Sequence, residues 1–277
     1  MIRIFSDTST LYSSAEAAAA GFTVAPLSVA IRGKSYLEFD ELSSDELIGM
    51  IDAENLPTSS QPAAGRIAEL YAQYPADEIL NITMADGLSG TYASAEAAAR
   101  LCEGQKITVL NSRTLCGPHR YLVQNAVCMA NEGAGLADIL QRTGELMDTA
   151  KSFLIPSDFG YLRRGGRLSP LVSYVGQAVR FVPMMTPTPQ GNRLTVAGIK
   201  RNFALAVTAA IHTFTEMGVG EGWRLYVTHA GAPKLAQQAQ RLMHTAFPKA
   251  VLEVLPLSPA FVTHGGPGCV ALQAIHA

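Results

Sequence analysis

Residues 79–84 read Ile-Leu-Asn-Ile-Thr-Met, and after a polar turn residues 92–100 read Tyr-Ala-Ser-Ala-Glu-Ala-Ala-Ala-Arg. The first stretch has the β-branched and apolar content of a buried strand, whereas the second is rich in strong helix formers. The same alternation recurs before residue 150. Short strands that alternate with longer helices are typical of a parallel sheet covered by helices. The first half of the chain therefore predicts an α/β fold.

The alternation of strands and helices continues to the C-terminus, but the pattern of predicted elements changes near residue 150. In the first half, the predicted strands are 2–6, 24–28, 79–84 and 107–111, and the predicted helices are 43–54, 63–74, 92–102, 118–132 and 136–149. In the second half, the predicted strands are 152–156, 193–199, 224–229, 251–256 and 269–275, and the predicted helices are 169–180, 202–217 and 233–246. We expect two domains, residues 1–150 and 151–277.

Composition narrows the class of protein. The chain has 277 residues, 48% of them hydrophobic, and a formal net charge of −2, which provides no electrostatic attraction to nucleic acid or anionic lipid. Its four cysteines form no Cys-x-x-Cys pair, so we expect buried, reduced thiols and no metal site. The N-terminus enters a strand directly, and no apolar run is long enough to cross a bilayer. These features predict a soluble, cytoplasmic protein.

A polar turn precedes the helix predicted at residues 92–102. It reads Gly-Leu-Ser-Gly-Thr at residues 87–91, and the first turn of the helix presents N–H groups that favour a bound carboxylate or phosphate. Capping of the helix by Ser89 or Thr91 explains the same residues. The turn also resembles a nucleophile elbow, but Gly90 follows the serine directly and breaks that pattern.

Three other segments are candidates for ligand contacts. Residues 58–61 form a hydroxyl-rich loop between two predicted helices, which could also serve only as a cap. Residues 161–169 bring three arginines around a glycine pair, and these would either clamp an anion or remain solvated. In residues 263–268, Thr-His-Gly-Gly-Pro-Gly, a histidine opens a glycine-rich loop in which backbone can approach a ligand closely.

Taken together, these segments resemble the DegV family of bacterial fatty-acid-binding proteins, and the resemblance runs nearly end to end. The motifs that carry it keep the order and spacing of the family: Ser-Asp-Thr-Ser at 6–9, Ser-Ser-Gln-Pro at 59–62, Leu-Ser-Gly-Thr-Tyr at 88–92, Tyr-Leu-x-x-Gly-Gly-Arg at 161–167, Lys-Arg at 200–201 and Thr-His-Gly-Gly-Pro-Gly at 263–268. Three positions depart from the family: Ser59 where threonine is usual, Asn111 where aspartate is common, and a less hydroxyl-rich lead-in at 85–87.

The resemblance implies a two-domain α/β fold, with an N-terminal parallel sheet flanked by helices and a C-terminal domain with a mixed sheet. One long-chain fatty acid would lie between the domains. The residues implied at its carboxylate are Ser59, Ser60, Ser89, Gly90, Arg167, His264 and Gly265. Which of Arg163, Arg164 and Arg167 faces the ligand stays open.

The resemblance also implies that the protein is a carrier. It would perform no chemistry itself and would need neither metal nor cofactor. Its partner would be a separate fatty-acid kinase, which phosphorylates the presented carboxyl group to an acyl phosphate. We expect no nucleic-acid partner and at most transient membrane contact.

A buried acyl chain has a simple energetic requirement. About fifteen methylenes at about 0.8 kcal/mol each give roughly 12 kcal/mol of transfer free energy, against roughly 4 to 15 kcal/mol lost on association. Affinity therefore depends on a deep, pre-formed apolar cavity. The candidate lining is residues 153–155, 171–175 and 178–185, which include the adaptable thioethers of Met184 and Met185.

Two other functions fit parts of the sequence. A Ser/His hydrolase acting on an acyl ester would use Ser89 as nucleophile, His264 as base and Asp7 or Asp86 to orient the base. A sugar- or nucleotide-binding domain would use the same helix terminus for phosphate, but the chain has no phosphate-loop or dinucleotide-binding glycine motif.

Overall fold

Buried apolar strands form the centre of two sheets in the computed structural model, which describes residues 1–169 and 181–277. The strands are β1 (Ile2–Asp7), β2 (Thr23–Ala25), β3 (Ser28–Ile31), β4 (Lys34–Leu37), β5 (Thr58–Ser60), β6 (Glu78–Thr83), β7 (Ile107–Asn111), β8 (Lys151–Ile155), β9 (Val182–Pro187), β10 (Leu194–Lys200), β11 (Trp223–His229), β12 (Val251–Pro256) and β13 (Val270–His276). The helices are α1 (Ser14–Ala19), α2 (Ser44–Met50), α3 (Ala64–Tyr71), α4 (Thr91–Leu101), α5 (Cys116–Asn131), α6 (Leu136–Met147), α7 (Phe159–Arg164), α8 (Phe203–Glu216), α9 (Pro233–Ala246) and α10 (Pro259–Gly265).

The first sheet is parallel and has the strand order β2-β1-β6-β7. Both of its faces are apolar, because β1 and β6 contribute side chains to one cluster with α1, α5 and α6 and to another with α3 and α4. Burial on both faces accounts for the nearly continuous apolar runs of these strands. In such a sheet, ligands bind at the carboxyl ends of the strands.

The second sheet is mixed, with the order β10-β9-β8-β13-β11-β12. Its β11 and β12 are parallel, and the remaining pairs are antiparallel. Helices α8 and α9 cover one face, and α5 packs against part of the other. The predicted α/β class, with one parallel and one mixed sheet, is confirmed. The proposed boundary at residue 150 falls between α6 and β8, but the division into domains 1–150 and 151–277 stays a prediction.

Several local predictions were wrong. The strand expected at 24–28 is divided between β2 and β3, and residues 58–60 form β5 instead of a loop, in a third sheet of order β4-β3-β5. His264 lies in α10 and does not open a loop; this helix is capped by Ser258 and begins with a proline. Cys128 is exposed, not buried. The helix expected at 169–180 falls almost entirely outside the described residues.

A buried polar network fixes the segments that leave the first sheet. The Asp7 carboxylate accepts hydrogen bonds from Ser9 N at 2.9 Å and from Met84 N at 2.8 Å, which ties the ends of β1 and β6 together. Glu38 accepts from Thr8 Oγ1 and, at 2.9 Å, from Ala260 N in the first turn of α10. Complete burial raises the pKa of Glu38. This carboxyl group therefore links α10 to the first sheet.

The contact between α5 and β11 leaves no room for a side chain at Gly117, where a Cβ atom would lie 2.1 Å from Tyr226 Cγ. We expect Gly117→Ala to lower the free energy of unfolding by about 1–3 kcal/mol through overpacking. Gly144→Ala in α6 is the matched control, because its Cβ would meet nothing within 4 Å; it should stabilise by about 0.5–1 kcal/mol. Urea unfolding of both variants checks the difference, and equal effects would contradict this packing.

Candidate functional site

An apolar cavity lies between the carboxyl-end segments of the first sheet and the face of the second sheet that is opposite α8 and α9. The space between its lining residues is about 990 Å³, with the open solvent at its mouth included. The second sheet provides one wall, which includes Leu154, Met185 and Ala271. The opposite wall includes Met84 and Leu88, which follow β6. The expectation that ligands collect at this edge of the sheet matches the position of the cavity.

Polar groups from distant parts of the chain meet at one end of this cavity. Ser59 Oγ lies 2.7 Å from His264 Nε2, across 205 positions of sequence, and both side chains line the cavity. Successive side chains of a strand point to opposite sides, so Ser60 is exposed on the other side of β5 and does not line the cavity. The structure thus brings Ser59 and His264 together and leaves Ser60 apart.

The turn before α4 supplies another hydroxyl. Ser89 lines the cavity, and its Oγ lies 2.8 Å from Thr91 Oγ1 and accepts weakly from Thr91 N. Gly90 is the N-cap residue, and a Cβ there would lie 2.6 Å from Gln61 Nε2. Gln61 also lines the cavity. Gln61 was not among the site residues predicted from the sequence, although it stands in the motif at residues 59–62.

Only one of the three arginines near the glycine pair lines the apolar cavity. Arg167 is half-buried, and it donates to Leu88 O at 3.1 Å and to Gly165 O at 2.6 Å. Burial, together with the charge of Arg193, lowers the pKa of Arg167. Arg164 stacks on the Tyr161 ring at 4.5 Å. Arg163 lines a different surface depression, beside Asp158.

His264 is held in its neutral form. Burial, and to a lesser extent the charge of Arg167, lower the pKa of His264 to about 4. Its Nδ1 atom is buried and has no hydrogen-bond partner among residues 1–169 and 181–277. Close packing surrounds it, since a Cβ at Gly165 would lie 2.8 Å from Nδ1 and a Cβ at Gly265 would lie 2.6 Å from Cys269 Sγ.

A second cavity adjoins the first. The space between its lining residues is about 660 Å³, open solvent included, and its lining comprises Thr58, Tyr161 and Arg164 as well as groups that it shares with the apolar cavity. The shared groups are Ser59, Arg167 and His264. Polar side chains at this end of the apolar cavity therefore border both cavities.

The lining of the apolar cavity agrees only in part with the segments proposed from sequence. Leu154 and Met185 line it, whereas Ile155 and Met184 lie in the core under α8 and α9; Phe153 packs in the same core and also borders the cavity. The pleat of β8 and β9 explains this, because neighbouring residues face opposite sides of the sheet. Residues 171–175 and 178–180 lie outside the described part of the chain.

The geometry does not assemble the hydrolase considered from the sequence. Ser89 bonds Thr91, whereas His264 bonds Ser59. Asp7 is fully engaged with backbone N–H groups, and Asp86 accepts from Gly87 N. The cluster instead combines the hydroxyls of Ser59 and Ser89, the guanidinium of Arg167 and the neutral imidazole of His264 at the lining of one cavity.

The described part of the chain has neither a helix of membrane-spanning character nor a side-chain cluster typical of a metal site. Within 1–169 and 181–277, no helix combines the length and hydropathy needed to cross a bilayer. In the same residues, no group of three or more His, Cys, Asp or Glu side chains has the arrangement of a metal site.

Comparison with known proteins identifies the family. A family model described as "Uncharacterised protein, DegV family" matches residues 1–277. The chain belongs to the DegV family. A DegV domain-containing protein of Listeria innocua, lin2658, is 28% identical over 255 residues, which are 90% of this chain and 89% of that protein.

Solved DegV structures share the whole fold. A fatty-acid-binding DegV family protein of Thermus thermophilus matches with a TM-score of 0.90 and 24% identity, over 100% of this chain and 99% of its own. A stearic-acid-binding protein of Eubacterium ventriosum matches with a TM-score of 0.88 and 19% identity, over 100% and 98%. At these identities the likeness establishes the DegV fold for this chain.

The lowered pKa of His264 predicts an acid-sensitive site. The unfolded chain binds a proton at this residue below about pH 6.5, but the folded protein binds it only near pH 4. Acidification between these values therefore favours unfolding. We expect His264→Gln to lose about 1–2 kcal/mol less stability than the wild type between pH 7 and pH 5. Urea unfolding of the lipid-free proteins measures this, and parallel losses in both would contradict the assignment.

Proposed function

We propose that this DegV protein binds one long-chain fatty acid, with its acyl chain in the apolar cavity and its carboxylate at the Ser59, Ser89, Arg167 and His264 cluster. The observation that carries the proposal is the form of the cavity: an apolar interior that ends in hydroxyls and a half-buried guanidinium. Fatty acid binding by the Thermus thermophilus relative and stearic acid binding by the Eubacterium ventriosum relative support the same ligand class.

The polar cluster meets the cost of burying a carboxylate. A buried carboxylate needs hydrogen bonds or a paired charge, and Arg167 supplies a cation at the cavity wall. With its proton on Nε2, neutral His264 donates to Ser59 Oγ and leaves the Ser59 hydroxyl hydrogen free for the ligand. Ser89 adds a further hydroxyl. Arg167 and the hydroxyls thus stabilise the charge, while the apolar walls supply most of the affinity.

The protein would act as a carrier, without catalysis of its own. Ser59, Arg167 and His264 line both cavities, which supports access of a partner to the carboxyl group from the second cavity while the acyl chain stays buried. We therefore propose presentation to a separate fatty-acid kinase in the cytoplasm, which forms an acyl phosphate. The net charge of −2 favours neither nucleic acid nor lasting contact with an anionic membrane.

Removal of one hydroxyl tests the carboxylate site. Ser89→Ala should weaken retention of a radiolabelled fatty acid by roughly tenfold, because a hydrogen bond to a charged group contributes about 1.5–3 kcal/mol. Ser94→Ala is the control, since Ser94 lies on α4 away from the cavity lining. Equal retention by the two variants would contradict the role of Ser89.

The carrier role has a separate test. Lipid-loaded protein, mixed with a bacterial fatty-acid kinase and ATP, should yield an acyl phosphate that hydroxylamine traps as a hydroxamate. The lipid-free protein should give none, and the kinase with a carrier known to serve it is the positive control. If that carrier yields hydroxamate and the loaded protein does not, this protein does not serve that kinase, and failure with every kinase of its own cell would refute the carrier role.

A further inference from the structure

The register of β8 and β13 shows which residues lie near the polar end of the apolar cavity and which lie at its other end. β8 and β13 run side by side along it, with Leu154 opposite Ala271 and Ser152 opposite Gln273, and all four residues line the cavity. Cys269, just before β13, touches the end of α10 that carries His264. Gln273 lies four residues further on, about 13 Å along an extended strand. Gln273 and Ser152 therefore mark the end of the cavity that lies away from the polar cluster.

This far end is closed by an amide, not by an apolar side chain. Gln273 Nε2 donates to Leu115 O at 3.0 Å and to Ser152 Oγ at 2.9 Å, and Oε1 accepts from Gly117 N at 3.1 Å. Three hydrogen bonds thus fix the side chain, which is 1% exposed. A chain terminus that displaced it would leave buried backbone groups of Leu115 and Gly117 unpaired.

The packing around the Gln273 side chain leaves its amide group no alternative position. Tyr226 is the strand neighbour of Gln273 on β11, and its buried ring lies directly against Gly117. The α5 backbone that binds the Gln273 side chain is therefore packed against the same sheet. A methyl terminus reaching this point meets a rigid polar wall, whereas a shorter chain stops among Leu154, Met185 and Ala271.

We propose that Gln273, held by Ser152 and the start of α5, sets the upper limit on the length of the acyl chain that this protein accepts. The inference rests on the proposed function, because it assigns a role within the same cavity. Each methylene that is buried adds roughly fourfold to affinity. Once an acyl chain reaches Gln273, further methylenes no longer increase the affinity. They would instead break the hydrogen bonds of the Gln273 side chain.

The test is a competition among fatty acids of different length. Lipid-free protein is incubated with equal amounts of lauric, myristic, palmitic, stearic and arachidic acids, and native mass spectrometry gives the bound distribution. We expect the wild type to bind with a sharp upper limit. Gln273→Ala should raise the ratio of longer to shorter bound chains by roughly tenfold, since the removed side chain makes room for extra methylenes.

Matched variants keep the result interpretable. Gln273→Asn retains the amide but shortens the side chain, so it should give a smaller shift in the same direction even if Gln273→Ala fails to fold. Ala271→Leu narrows the cavity before its end and should favour shorter chains. Gln237→Ala, on the exposed side of α9, should match the wild type.

The outcomes separate the two proposals. If wild type binds fatty acid and the folded Gln273 variants keep its length distribution, Gln273 does not set the limit, although the fatty-acid site stands. A wild type that takes up the longest chain without loss would also overturn the limit. If wild type binds none of the five acids, the proposed function itself is wrong.

Discussion

The hydrogen bond between Ser59 and His264 is the contact on which the candidate site depends. It joins β5 of the small antiparallel sheet to α10 just before the last strand of the second sheet, so both segments must be in place before the polar end of the cavity exists. Each segment has its own anchor. β5 pairs with β3, and α10 is held at its N-terminus by the buried Glu38 carboxyl group. The site is thus a product of long-range packing, although each of its residues stands in a short motif.

The strands and helices with strong periodicity could be predicted from the sequence, and the short polar elements could not. β7, β12 and α9 follow directly from apolar content and helix-forming residues. β5 consists of threonine and two serines, and only its backbone pairing with β3 makes it a strand. Tertiary context decides such segments, because their intrinsic preference is weak. The orientation of Ser60 was hidden for the same reason: a loop would allow both serines to face a ligand, whereas a strand turns one of them away.

The sequence motifs predicted the residues of the polar cluster more accurately than the apolar residues that line the cavity. The motifs containing Ser59, Ser89, Arg167 and His264 do meet at one cavity. The wall depends on the pleat phase of β8 and β9, which a continuous apolar run such as residues 182–185 does not reveal. Nothing in the sequence indicates that Gln273 lies at the far end of the cavity. The position of this glutamine is evident only from its hydrogen bonds to the backbone at the start of α5.

The close approach of Gly117 to Tyr226 has a mechanical consequence for the cavity. Here backbone of α5, which packs on the first sheet, rests directly on a side chain of the second sheet, with no compressible side chain between them. Protein interiors are nearly incompressible when packed in this way. The spacing of the two layers is therefore set by hard contact, and the cavity cannot widen by separation of its walls. Adjustment to guests of different shape falls instead to rotation of unbranched side chains such as Met185 within a frame of constant width.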